Sequence, residues 1–171
     1  MVSQREQTLR LNRLKHKVGI VESAPSTSPI QSQLETANLV TGAFEGEKLV
    51  VDGTTAASVS TGQLVFLNSS AQWTLAAAND TGVGENELLA IALSAKPHIG
   101  GVMTHGVIKL NTSYINGSSF TVGAQVFMHP STAGSYTSTL PSTTGQIVRV
   151  VGYAVAADTL FFSPSPDYIE V

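Results

Sequence analysis

The histidines are the residues whose side chains offer the most specific chemistry in this sequence. His98 and His105 flank the pair Gly100-Gly101, so a hairpin there would bring two imidazoles together as a candidate metal site. No H-x-H or H-E-x-x-H spacing occurs, and no carboxylate lies close by in the sequence. The preferred interpretation of His98, His105 and His129 is therefore that they are ordinary loop or cross-strand histidines.

The acidic residues are scattered and often lie beside turns, which does not favour a catalytic acid–base pair. Glu85 and Glu87 would share one face of a strand, but Gly82 and Gly84 favour a solvated loop. The chain has no cysteine, no G-x-S-x-G element, no phosphate-binding loop and no dinucleotide fingerprint. We therefore expect a protein that is not an enzyme, with no catalytic residues, no metal and no cofactor. A small hydrolase is the least favoured alternative.

The first 22 residues carry charge of opposite sign from the rest of the chain. They hold five basic and two acidic residues, a net charge of +3, whereas the remainder holds four basic and ten acidic residues, a net charge of −6. Leu11, Leu14 and Val18 are spaced for one face of a short helix, which is marginal alone and would be ordered by a partner. The residues expected to bind that partner are Arg5, Arg10, Leu11, Arg13, Leu14, Lys15, Lys17 and Val18.

Residues 23–37 have the composition of a linker, because Pro25 and Pro29 disfavour helix and the Ser, Thr and Gln residues give little to bury. We therefore predict a basic N-terminal arm with its linker over 1–37 and a globular domain over 38–171. The arm has no apolar segment behind it, and no apolar run reaches the ~20 residues that a spanning helix needs. No signal peptide and no membrane association are expected.

From residue 38 onward, short runs with strand periodicity are separated by turn residues about every 8–12 positions, the spacing typical of sandwiches and barrels. Only 12% of the residues are charged, about half the usual ~25%. The sequence predicts an all-β fold: a small antiparallel barrel or sandwich preceded by an extended, partly helical N-terminal arm. The predicted strands cover 49–51, 63–67, 72–75, 88–94, 101–107, 107–111, 125–128, 136–139, 147–154 and 159–162.

Two segments of the predicted domain share a sequence pattern. Each has G-x-x-V-F, a turn, an aromatic residue followed by Thr, and then an apolar strand. The first segment comprises 62–74 with 88–93, and the second comprises 123–137 with 147–151. The pattern favours two related hairpin units within one barrel or sandwich, and the alternative is that unrelated hairpins share such features.

The C-terminal segment 145–171, GQIVRVVGYAVAADTLFFSPSPDYIEV, combines an apolar strand, a short Asp turn, an aromatic strand and a terminal P-S-x-D-Y-I-E. Together with 62–74 (GQLVFLNSSAQWT) and 123–128 (GAQVFM), it resembles the β-domains of decoration, cement and head-fibre proteins of tailed-phage capsids. The resemblance covers residues 62–171. It implies an accessory structural protein on the capsid surface of the virion, which binds the major capsid protein and forms a homo-oligomer, a trimer in preference to a dimer.

On this interpretation the arm anchors the protein on the shell and the β-domain is displayed. A protein surface is preferred over nucleic acid as the arm's partner, because the globular part is acidic and has no basic face with interleaved aromatic residues. The alternative function is a tail or fibre component whose β-domain binds a host receptor or glycan. That alternative predicts exposed aromatic side chains in a cleft, with Trp73 and Tyr114 as the first candidates.

Overall fold

The computed structural model describes Leu34, Thr36, 38–56, 58–79 and 87–171, and strands dominate this part of the chain. They are β1 (Phe44–Leu49), β2 (Thr54–Thr55), β3 (Leu64–Leu67), β4 (Gln72–Leu75), β5 (Leu89–Ala92), β6 (Val102–Lys109), β7 (Gln125–Met128), β8 (Tyr136–Thr137), β9 (Ile147–Val148), β10 (Val150–Ala156), β11 (Thr159–Phe162) and β12 (Ile169–Glu170). A short helix, α1 (Pro97–Gly100), and two 3₁₀ turns, Thr112–Tyr114 and Asn116–Ser118, lie between them. The prediction of a β-rich fold is confirmed. Within the described ranges, no helix is long and apolar enough to cross a membrane.

The described strands form one large sheet and one small sheet. The large sheet has the order β2-β4-β3-β5-β6-β11-β10-β7-β8, and β1 pairs with β6 outside this path. The pairs are antiparallel except β2 with β4, and β12 pairs with β9 in the small sheet. Since β8 does not pair with β2, the described strands do not close into a barrel.

Strand β6 joins the two halves of the large sheet. The first half comprises β2, β4, β3 and β5, and the second comprises β11, β10, β7 and β8. The start of β6, at Val102 and Met103, pairs with β5, whereas β6 from Gly106 to Lys109 pairs with β11. Along the other edge of β6, β1 pairs over nearly the whole length. One buried cluster contains side chains from both halves, for example Ile91 from the first and Leu160 from the second. The two halves therefore share this hydrophobic cluster.

Three glycines and Phe162 lie in register across four neighbouring strands. Gly46 on β1 faces Gly106 on β6, and Phe162 on β11 lies between Gly106 and Gly152 on β10. The φ angles of the three glycines are +153°, +143° and +157°, in the region that L side chains rarely adopt. A β-carbon on any of them would overlap the carbonyl oxygen of a neighbouring strand. Phe162, whose side chain is fully buried, thus has a glycine as its register partner on each side.

The two segments with a shared sequence pattern have the same strand arrangement. In the first, β3 lies between β4 and β5, and in the second, β7 lies between β8 and β10. The amide of Gly62 donates to the carbonyl of Ala92, and the amide of Gly123 donates to the carbonyl of Ala154, each over 2.8 Å. The aromatic residues Trp73 and Tyr136 occupy matching positions, opposite the last residues of β3 and β7. The predicted relation between the two hairpin units is therefore found in the strand pairing.

Several predicted strand limits differ from the structure. The strand predicted over 49–51 lies at 44–49, and the two predicted over 101–107 and 107–111 are the single strand β6. The strand predicted over 147–154 is interrupted at Arg149. The guanidinium of Arg149 donates from Nε to the carbonyl of Ser165 over 2.6 Å and from Nη1 to the carbonyl of Glu87 over 3.2 Å. The break between β9 and β10 is where the chain passes from the small sheet, in which β9 pairs with β12, to the large sheet.

Candidate functional site

The predicted capsid-binding residues lie outside the described part of the chain. They are Arg5, Arg10, Leu11, Arg13, Leu14, Lys15, Lys17 and Val18. Their role stays a prediction, as does the division of the chain at residues 37 and 38. The described residues from Leu34 to Val171 belong to one compact unit.

The two histidines of the candidate hairpin have separate partners in the structure. His98, on α1, shares a hydrogen bond of 2.8 Å between its Nδ1 and the hydroxyl of Thr55. His105, on β6, makes an edge-to-face contact with the ring of Phe161, with 5.3 Å between the centroids. Within the described residues, no group of three or more His, Asp or Glu side chains could hold a metal ion. The contacts seen are thus a hydrogen bond for His98 and a ring contact for His105.

The two aromatic residues singled out for a ligand cleft have different surroundings. Trp73 is completely buried, and its indole N–H has no hydrogen-bond partner. It belongs to a second hydrophobic cluster with Val65 and Val102, so the expectation that Trp73 is exposed in a cleft is wrong. Tyr114 is partly buried and lines an open groove.

This groove, which we call the polar groove, lies between two loops and has a volume of about 200 Å³. The first loop, 111–119, contains the two 3₁₀ turns, and the second loop, 129–135, connects β7 to β8. The residues that line the groove are Ser113, Tyr114, Ile115, Asn116, Gly117, His129, Thr132 and Ser135. Sequence reasoning did not identify this set as a site.

The first loop is held by local hydrogen bonds. The side chain of Asn111 accepts from the amide of Ser113 over 3.0 Å and so caps the first 3₁₀ turn. Gly117 and Ser118 both have left-handed backbone angles, with φ of +74° and +63°. A left-handed conformation is uncommon for serine, so the loop keeps this local strain at the edge of the groove. Asn116, just before this bend, is exposed.

The second loop is organised around His129. Its Nδ1 accepts hydrogen bonds from the amides of Ser131 and Thr132, over 3.1 and 2.8 Å. Because Nδ1 is the acceptor, the proton of the neutral imidazole is on Nε2, which is a donor. The amide of His129 also donates to the carbonyl of Ser135 over 3.0 Å, which closes the loop. The imidazole is thus fixed in both position and tautomer.

Tyr136 fixes the two loops to the core and to each other. Ile115 forms a bridge with Tyr136, and the Tyr136 hydroxyl donates to the carbonyl of Gly62 over 2.9 Å. Complete burial, and in second place the nearby Tyr114, raises the pKa of Tyr136 well above its ordinary value. The phenol therefore stays protonated and remains a donor. The ring of Tyr114 packs near Gly62, where a β-carbon would be 3.8 Å from it.

The chemistry of the polar groove suits binding better than catalysis. The serine hydroxyls would need a histidine nitrogen free to accept their proton, and Nδ1 of His129 is already used by two backbone amides. The remaining side-chain groups are hydroxyls, one amide and an N–H donor, which form hydrogen bonds without charge. None of the lining residues is an acid, a lysine or an arginine.

Comparison with known proteins gave no relative. No protein-family model matches the chain, and neither a curated protein nor a solved structure matches it.

Proposed function

We propose that this chain is a structural protein of a phage virion that binds the outer surface of the capsid, decorates or stabilises it, and has no enzymatic activity. The observation that supports this most directly is the resemblance of residues 62–171 to the β-domains of capsid decoration, cement and head-fibre proteins. The β-rich unit found from Leu34 onward is compatible with such a domain. The large sheet does not close on itself and side chains of both its halves pack in one cluster, which favours a sandwich over a closed barrel.

The proposed anchor is the arm over 1–37, and its proposed partner is the major capsid protein. Five basic residues against an acidic remainder favour an arm that docks on an acidic protein surface. The apolar residues Leu11, Leu14 and Val18 would add a contact stripe. Small contacts of this kind are multiplied when several arms of one oligomer bind neighbouring subunits, so a trimer, or failing that a dimer, belongs to the proposal.

The test is co-sedimentation of the full-length protein with bare capsids of its host particle. We expect saturable binding at a fixed copy number per shell. A variant with all five arm bases, Arg5, Arg10, Arg13, Lys15 and Lys17, replaced by serine should keep its folded spectrum and lose binding. The matched control replaces Lys48 and Lys96, two exposed bases of the β-domain, by serine and should bind like the original protein. Undiminished binding by the five-fold variant would contradict the anchor.

The second candidate function is a tail or fibre component whose β-domain binds a host receptor or glycan. The polar groove supports this candidate, because its lining offers several uncharged donors and acceptors in one concave place. If the full-length protein binds no shells in the sedimentation test, this second candidate becomes the preferred one.

A further inference from the structure

We propose that the polar groove binds a single ring of a neutral saccharide. This inference deepens the second candidate function and rests on it, whereas attachment of the arm to a capsid can be right or wrong independently. Three properties of the groove support it: its charge, its size and its preorganisation.

The lining of the polar groove matches the hydroxyl groups of a sugar. Ser113, Thr132 and Ser135 carry hydroxyls that donate or accept, Asn116 carries an amide that does both, and His129 has its proton on Nε2. A saccharide ring presents hydroxyls that both donate and accept, so it can satisfy a mixed set of this kind. A charged ligand would find no counter-charge among the lining residues, which favours a neutral one.

The size of the groove limits what it can hold. Its volume of about 200 Å³ is below the ~300–1,000 Å³ that is typical of pockets for drug-sized ligands. One sugar ring is a better match than an extended molecule. The groove is open to solvent, so it does not enclose a longer chain attached to that ring.

Two lining residues of the polar groove are held by neighbouring parts of the fold. The ring of Tyr114 is partly buried and packs against the hydrophobic cluster near Gly62. The imidazole of His129 is fixed by two amides in the opposite loop. Rigid contact groups lower the entropy lost on binding.

The test is a titration of the ¹⁵N-labelled full-length protein with methyl glycosides of glucose, galactose and N-acetylglucosamine, followed by amide chemical shifts. We expect saturable shifts for at least one of them, with a dissociation constant in the millimolar range. The shifts should be confined to amides of 113–117 and 131–135. Asn116→Ala and Thr132→Val should each weaken binding by about ten-fold or more. Asn79→Ala, which replaces an exposed asparagine outside the groove, is the matched control and should bind as the original protein does.

Two results would overturn the saccharide proposal. The first is the absence of saturable shifts at groove amides with every glycoside of the panel. The second is a shift pattern that Asn116→Ala and Thr132→Val leave unchanged, because the sugar would then bind elsewhere. The Asn116→Ala protein should still sediment with capsids as the original does. The outcome of the titration is therefore separate from that of the anchor test.

Discussion

The glycines in register on β1 and β6 show how single residues decide how closely two strands approach. Gly46 and Gly106 face each other across β1 and β6, and each lies where the other's backbone leaves no room for a β-carbon. Glycine is required here for two reasons, the φ angle and the close approach of the strands. A glycine inside a strand weakens the strand pattern in the sequence, whereas here it permits the close approach of two strands.

Replacing Gly106 by alanine should strongly destabilise the domain. The new β-carbon would overlap the carbonyl of Glu45, and φ is +143°. We expect a loss of about 4 kcal/mol or more in the free energy of unfolding, measured by urea denaturation, because both strain and a steric clash act at one site.

The control is Gly145→Ala, since Gly145 also has positive φ, +82°, but a β-carbon added there would have no neighbouring atom within 4 Å. Gly145→Ala should lower the free energy of unfolding by only about 1–2 kcal/mol, which is the cost of placing alanine at a positive φ. Equal losses for the two variants would show that close packing at Gly106 is not the cause.

The raised pKa of Tyr136 predicts that the folded domain loses stability at alkaline pH. Its pKa in the folded protein is raised by burial above the value in the unfolded chain. The stabilisation from this neutral phenol is therefore complete below the unfolded pKa, about 10, and is lost as the pH rises toward the folded value. Tyr136→Phe should lower the free energy of unfolding by about 1–3 kcal/mol at pH 8, because the carbonyl of Gly62 loses its hydrogen-bond donor.

The same variant should lose less stability than the original protein between pH 8 and pH 11, because the titrating phenol is gone. Urea unfolding at both pH values measures this difference. Tyr168→Phe, at an exposed tyrosine, serves as the control and should follow the original protein at both. A pH dependence that Tyr136→Phe does not reduce would contradict this account.

At the scale of the elements, the strands with clear alternation and turns could be predicted from the sequence. The predicted limits of β4, β7 and β11 match the structure to the residue. The turn at 68–71 follows from Asn68, whose side chain accepts from the amides of Ser70 and Gln72.

Three elements could not be predicted from the sequence. Strand β1 has the sequence FEGEKL, in which charges replace the usual alternation, and it exists because β6 pairs with it. Strands β2 and β12 have two residues each, too few for any period to show. In all three, the stabilisation comes from a distant strand, which local patterns do not contain.

Arg149 gives a prediction about the C-terminal element. Burial lowers the pKa of its guanidinium, and the carboxylate of Glu87 opposes this shift. Its bonds to the carbonyls of Ser165 and Glu87 tie the C-terminal segment to the break between β9 and β10. Arg149→Lys keeps the charge but not the planar fork that makes both bonds.

We expect Arg149→Lys to speed hydrogen exchange at the amides of Gly145 and Val171, which bond to the carbonyls of Val171 and Gln146, by about ten-fold. The control is Lys109→Met, which removes the ion pair between Lys109 and Asp158. The two charged groups of this pair are 3.4 Å apart, and both side chains are about one third exposed. That change should cost less than about 1 kcal/mol and leave C-terminal exchange unaltered. Unchanged exchange in Arg149→Lys would show that β12 is held by other contacts.

At the scale of the whole molecule, the related hairpin units could be read from the sequence, but the polar groove could not. The pattern G-x-x-V-F with an aromatic-Thr strand predicts the observed pairing of β3 with β4 and of β7 with β8. The groove combines residues 113–117 with 129–135, which no spacing rule relates. They meet because Ile115 bridges to Tyr136.

Because side chains of both halves of the sheet pack in one buried cluster, the described domain should unfold cooperatively. Met128, on β7, is fully buried in the cluster that also contains Leu64 and Ile91 from the first half. Met128→Ala should lower the free energy of unfolding by about 2–5 kcal/mol. It should shift the urea midpoint by the same amount whether unfolding is followed by circular dichroism or by the fluorescence of Trp73, which lies in the first half. Val122→Ala, at a residue 62% exposed, should change stability by less than about 0.5 kcal/mol. Separate midpoints for the two signals would mean that the halves unfold independently.

The pairing of β1 with β6 has a consequence for the nascent chain. Strand β1 leaves the ribosome first, and its partner follows roughly sixty residues later. At ~5–20 residues per second, β1 waits on the order of 3–12 s with all of its backbone groups unpaired. An apolar strand would be free to pair with other chains during that time. We expect the charges of Glu45, Glu47 and Lys48 to oppose such pairing until β6, the one described strand with which β1 pairs, has been synthesised.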